Sequence, residues 1–317
     1  MKSVLLGLDL GGTNIKGVLL DAGTLKPVHR TQVSTVARRG ARAVIGTMAA
    51  TVGKLMEWAA ANKMTVRSIG IGSAGLVDKG TVRNSPNLPG WQGAVPLERL
   101  LKKELRGLKV PLAIDNDANC FVLAEALCGA ARGYGNVVGL TLGTGVGGGL
   151  VLDGMLYRGS TGGAGELGHA TIKYDGPRCL CGNYGCLEAM VGAGAILDRY
   201  RIRNPKSKTQ NPKITVAEIS DRAKKGEPAA VNALAETGTM LGAALANFVN
   251  IFNPRAIVIG GGVAQAGKYI LDPAVKEMKK RAMPYNVLGV AVKAAKLGPW
   301  AGAIGAALLK DKGVTIE

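Results

Sequence analysis

Three cysteines and a histidine fall within residues 169–186: His169, Cys179, Cys181 and Cys186. Three thiols and one imidazole form one of the ligand sets that closes a tetrahedral zinc site. Gly182 and Gly185 lie where the chain must turn tightly to bring the sulfurs together, and Asp175-Gly176-Pro177 supplies the turn back toward His169. A carboxylate stands at each end of the stretch, Glu166 and Glu188. Three buried free thiols and a core histidine are the weaker reading, because free cysteines rarely crowd in this way.

A second kind of chemistry is written in glycine turns. Asp9 lies near the end of the apolar run 4–10, and Gly11-Gly12-Thr13-Asn14 leads into another, 15–20. This is strand, turn, strand, not the strand–turn–helix of a Walker A loop. Such a turn can offer backbone N–H groups and the Thr13 hydroxyl to a phosphate. Asp9 is placed to hold magnesium, usually through water. An ordinary Gly-Gly hairpin is the alternative. The pattern returns at residues 136–152, where Gly143-Thr144-Gly145-Val146-Gly147-Gly148-Gly149 interrupts an apolar run. Two such hairpins suggest two domains of similar topology gripping a nucleotide's phosphates from both sides. A third turn, Gly260-Gly261-Gly262, follows the strand 256–259 and precedes a helix, so backbone there can approach adenine or its ribose.

The third candidate is Asp115-Asn116-Asp117-Ala118-Asn119, between a strand at 110–114 and a helix at 120–127. Open α/β sheets bind ligands beyond the carboxyl ends of their strands, which places Asn116 and Asp117 for chemistry. Asn and Asp are also preferred helix N-caps. One of the three acidic or amide residues could be only a cap; all three could not.

The elements that must position these groups alternate between strands and helices. Val44, Met48, Val52, Leu55, Met56 and Ala59 recur at helical spacing in a helix over 41–62. A buried strand at 68–72 runs into Ser73-Ala74-Gly75, and a turn-rich loop covers 84–91. Further helices are expected at 96–105, 188–200, 228–252 and 301–310, with an exposed loop at 203–213. Thr215 to Glu218 has the spacing of a capping box.

The chain has 317 residues, 47% of them hydrophobic, enough for a sizeable core and more than one domain usually holds. Aromatics at 4% argue against large stacking platforms. Cys120 and Cys128 read as small core residues, and the cysteine usage fits a reducing cytoplasm. A net charge of +18 suits anionic partners such as nucleotides, but the basic residues are dispersed. No segment has the apolar length of a membrane span, and Asp9 interrupts the brief signal-like start.

On these motifs the chain resembles the ROK family of bacterial-type sugar kinases and repressors. The matching stretches are Asp9-Leu10-Gly11-Gly12-Thr13, Asn116-Asp117-Ala118-Asn119, the turn 143–149, Glu166-Leu167-Gly168-His169, the cysteine stretch 179–188 and Gly260-Gly261-Gly262. The resemblance implies an α/β, two-domain actin-like, ribonuclease-H-like ATPase fold with a cleft between the domains. The domains are expected at 1–115 plus 300–317 and at 116–299. It further implies transfer of phosphate from ATP, with Mg2+, to the 6-hydroxyl of a hexose, most readily glucose. Asp117 would be the general base. Gly75, Asn87, Asn116, Asp117, Glu166, His169 and Glu188 would hold the sugar. Asp9, Gly11, Gly12, Thr13, Asn14, Lys16, Thr144, Gly145, Gly261 and Gly262 would hold the nucleotide, and His169, Cys179, Cys181 and Cys186 the Zn2+. Many glucokinases of the family have proline where this chain has Ala74, which keeps open an N-acetylmannosamine or N-acetylglucosamine kinase. A polyphosphate-using glucokinase and a sugar-sensing repressor are further alternatives. Only eight residues precede Asp9, so the repressors' helix-turn-helix, and with it DNA binding, is not expected. A homo-oligomer, dimer or tetramer, is expected.

Overall fold

The computed structural model describes residues 2–85, 88–91, 93–206 and 211–310. They form two compact units. One comprises the described residues of 1–135, 149–164 and 297–317; the other comprises 136–148 and 165–296. These bounds differ from the expected 1–115 plus 300–317 and 116–299, and the reason is packing. The helix that follows residue 116 lies against the C-terminal helix Ala301–Leu308: a Cβ on Gly305 would sit 1.7 Å from the Cys120 carbonyl oxygen. Residue 149 joins the same unit because Gly149 abuts Val122 and Ala118.

In the first unit, β1 (Lys2–Leu10), β2 (Asn14–Asp21) and β3 (Pro27–Ser34) form an antiparallel meander. Helix α1 (Ala41–Ala61) leads into β4 (Met64–Ser73), which pairs in parallel with β1. The short strands β5 (Leu76–Asp78), β6 (Thr81–Arg83) and β7 (Ala94–Val95) make a small separate sheet. Helix α2 (Leu97–Glu104) then precedes β8 (Leu112–Asn116), parallel to β4, and α3 (Asp117–Leu127). The main sheet order is β3-β2-β1-β4-β8.

Successive strand residues face opposite sides of a sheet, and β1 uses both. Leu8 and Gly17 face α1, where a Cβ on Gly17 would meet Leu55. Gly7 and Gly70 face Ala301–Leu308. A Cβ on either would sit 2.0 Å or less from a carbonyl oxygen of that helix, so the helix rests directly on backbone. Val44, Met48, Val52, Leu55 and Ala59 bury the apolar stripe of α1 against the sheet, as their spacing predicts.

In the second unit, β9 (Val137–Leu142) precedes β10 (Val146–Leu152), which starts in this unit and ends in the first, beside β11 (Met155–Leu156). The expected helix over 188–200 is two helices, α4 (Leu187–Val191) and α5 (Ala193–Arg203). They break at Gly192, where a Cβ would come within 2.8 Å of the Thr144 carbonyl oxygen. The capping box is present: Thr215 Oγ1 accepts from the Glu218 N–H while Glu218 accepts from the Thr215 N–H. Helix Pro228–Phe252 packs on Lys268–Arg281 through Gly238 and Gly242. Strand β12 (Ala256–Gly260) runs parallel to both β9 and β13 (Ala291–Ala294). Among the described residues no helix is long and apolar enough to cross a membrane.

Candidate functional site

The first unit carries two carboxylates at strand ends. Asp117 is the first residue of α3, and Asn116 is its N-cap, accepting from the N–H groups of Ala118 at 2.8 Å and Asn119 at 3.2 Å. Asn116 caps the helix and thereby presents Asp117 at its positive end. Asn116 also donates through Nδ2 to the Gly75 carbonyl at 3.1 Å, so Gly75, at φ +104°, meets Asn116 through its backbone. Asn87 lies outside the described residues.

Asp9 lies on the face of β1 toward the C-terminal helix, where a Cβ on Gly302 would sit 2.9 Å from its carboxyl carbon. Burial, reinforced by the charge of Asp117 and opposed by that of Lys16, raises its pKa from 3.8 to about 6. Lys16 pairs with Asp9 in the β1–β2 register and donates Nζ to the Pro299 carbonyl at 2.8 Å. A half-buried carboxylate under the influence of a second one is a donor set that a hard divalent cation satisfies, which fits magnesium. The glycine turn above it is fixed by a residue that the sequence motif does not include. Buried Thr35 donates to the Gly11 carbonyl at 2.6 Å, and its N–H donates to the Thr13 carbonyl at 2.9 Å. Gly11 itself donates to the Asn14 carbonyl, while the Thr13 side chain is left exposed.

In the second unit, His169, Cys179, Cys181 and Cys186 place one ligand atom each within 4.8 Å of all the others. Cys181 and Cys186 sulfurs stand 3.7 Å apart, and Cys179 Sγ is 3.8 Å from His169 Nδ1. Sulfurs bonded to one zinc at ~2.3 Å are about 3.8 Å apart at the tetrahedral angle, so the set fits zinc. Burial pushes the Cys179 thiol up to about 12, whereas a hydrogen bond from the Asn183 N–H lowers Cys181. Gly185, at φ +65°, brings the loop back so closely that a Cβ would overlap the Lys173 carbonyl oxygen. His169 Nε2, the nitrogen away from Cys179, is 3.9 Å from Glu166 Oε2.

Glu188 links this loop to the second glycine turn. Its Oε2 accepts from the Val146 N–H at 3.0 Å, and its Oε1 lies 3.5 Å from Cys179 Sγ. Gly145 leaves room for that carboxylate, and the Thr144 side chain is exposed at the tip. Gly261, at φ +90°, packs against Leu142 just before the same turn, beside Gly262. The sequence-predicted residues thus form two groups. Asp9, the turn 11–14, Lys16, Gly75, Asn116 and Asp117 lie in the first unit; Thr144, Gly145, Glu166, the zinc set, Glu188, Gly261 and Gly262 lie in the second.

Sequence and fold both have relatives. The model of the ROK family matches residues 5–312. A glucokinase of Thermotoga maritima is 37% identical over 326 residues, covering 98% of each chain. The ROK hexokinase of Thermus thermophilus superposes with a TM-score of 0.79 at 31% identity, covering 96% of this chain and 97% of that one. A ROK family glucokinase of Streptomyces griseus, solved with glucose and AMPPNP, does so at 0.78 and 31%, covering 96% and 98%. With its two sheet-containing units, the mixed α/β chain has the actin-like ATPase fold of ROK sugar kinases, and it belongs to the ROK family.

Proposed function

We propose that the protein is an ATP-dependent hexose kinase that phosphorylates the 6-hydroxyl of glucose. The observation that carries this reading is the Asn116–Asp117 turn. It sets a carboxylate at a helix N-terminus at the end of a parallel strand, close enough to Asp9 for the two charges to interact. Asp117 accepts the proton of the attacking hydroxyl, a contribution of typically ~10²–10⁴-fold. Asn116, Glu166, His169 and Glu188 bind the remaining hydroxyls, with the Gly75 backbone holding Asn116 in place. Phosphoryl transfer depends on positioning and charge neutralisation. The turns at Gly11–Asn14 and Thr144–Gly145 bind phosphate oxygens through backbone N–H groups and threonine hydroxyls. Asp9 would hold magnesium, which supplies charge neutralisation at the phosphates.

His169, Cys179, Cys181 and Cys186 would fill all four positions of a tetrahedral zinc, and such a closed site would hold the loop rather than act on substrate. A zinc held there would fix His169 in one tautomer, with Nε2 toward Glu166.

The test is a coupled ADP-release assay over glucose, mannose, N-acetylglucosamine and N-acetylmannosamine. Glucose should give the highest kcat/KM, and all turnover should need a divalent cation. A preference for an N-acetylhexosamine would overturn the choice of sugar; ADP release unaffected by any hexose would overturn the kinase.

A further inference from the structure

Arg158 belongs to none of the groups assigned above. It follows β11 and opens the glycine-rich segment 159–165. Its Nε donates to Asp115 Oδ2 at 2.6 Å, with the Asp115 side chain buried and that of Arg158 half exposed. The other oxygen, Asp115 Oδ1, accepts from the Asn116 N–H at 2.8 Å and from Asn119 Nδ2 at 2.9 Å. One carboxylate therefore pins the residues on both sides of Asp117, and the guanidinium holds that carboxylate. The backbone of Arg158 is engaged as well. Its carbonyl accepts from the Ala164 N–H at 3.1 Å, which closes the glycine segment into a loop. A Cβ on Gly162 would sit 2.3 Å from the Val77 carbonyl oxygen, so the loop lies on β5, directly after Gly75.

We propose that Arg158 is a positioning residue for phosphoryl transfer, acting through Asp115 on the turn that aims Asp117. The inference rests on Asp117 being the general base. Without the guanidinium, Asp115 is a buried carboxylate that has lost its charge partner at Oδ2, and its hold on Asn116 and Asn119 loosens. In-line attack tolerates little displacement; about 1 Å of misplacement costs on the order of 100-fold.

The experiment is steady-state kinetics on full-length Arg158→Ala, Arg158→Lys and Asp115→Asn, with Asp117→Asn measured alongside. Arg158→Ala should lower kcat by about 10- to 100-fold while the KM for ATP stays within about threefold. Guanidinium ion at low concentration should restore part of kcat, which a general folding defect would not allow. Lysine, whose ammonium does not reproduce the Nε donor, should fall between. The Arg158→Ala/Asp115→Asn double variant should lose no more than the worse single variant, because the two side chains act as one unit. A kcat within about threefold of wild type in Arg158→Ala, or losses that multiply in the double variant, would overturn the proposal. Should Arg158→Ala not fold, a wild-type kcat in Arg158→Lys overturns it equally. Undiminished kcat in Asp117→Asn overturns the base assignment instead, and a loss there beside a normal Arg158→Ala overturns only the positioning role.

Discussion

Burial and the charge of Asp117 both act on Asp9. The folded chain holds a proton on Asp9 up to about pH 6, whereas an ordinary aspartate releases it near 3.8. Between those values the folded state binds more protons than the unfolded state, so this group's contribution to stability falls as pH rises and is lost above about 6. Asp9→Asn should therefore raise the Tm near neutral pH, by an amount worth at most about 3 kcal/mol, with the gain shrinking toward acid. It should also abolish magnesium-dependent turnover. Calorimetry across pH is the measurement, and a Tm that is lowered at neutral pH would show that the charge is stabilising. Asp117→Asn should lower kcat by at least about 100-fold with sugar binding largely retained, as read by single-turnover kinetics and calorimetry. The placement of both carboxylates was legible in the sequence, because Asp9 lies near the end of one apolar run and Asp117 follows another. Their mutual influence was not, since it depends on β8 lying beside β4, and β4 beside β1.

At the scale of elements, the loop that carries His169, Cys179, Cys181 and Cys186 brings four metal-ligand atoms together. Its backbone is held by a few turns, among them the Gly182 N–H to the Cys179 carbonyl and the Cys179 N–H to the Asn183 carbonyl. Cys181→Ser should release the metal and loosen residues 166–188, lowering sugar affinity while the Gly11–Asn14 turn still binds nucleotide. Metal content by atomic spectroscopy, with both ligands titrated on the same sample, tests this; full zinc occupancy in the variant would exclude Cys181 as a ligand. Gly185→Ala should have the same consequence by a different route, because its positive φ and the Lys173 carbonyl leave no room for a Cβ. The two glycine hairpins were readable from strand–turn–strand patterning. The break between α4 and α5 was not, because nothing in the local sequence reveals that Gly192 must pass the Thr144 carbonyl.

For the whole molecule, the division into units assigns the metal loop entirely to one of them and Asp9, Asn116 and Asp117 to the other. A chelator should therefore raise hydrogen exchange in peptides from residues 165–192 while leaving peptides from residues 2–21 protected. Equal deprotection of both, followed by mass spectrometry, would show that the units do not open independently. The sequence by itself determined the clustered histidine and cysteines, the strand–glycine turn–strand pattern, the capped helix starts and the family, because each depends on residue type at short spacing. Only the tertiary structure decided where the long-range contacts fall. Arg158 meets Asp115 across 43 residues, Glu188 meets the Val146 N–H across 42, and Lys16 ends on Pro299 across 283. No local pattern encodes such a meeting; it follows from which strands pair and which helix lies on which face of a sheet.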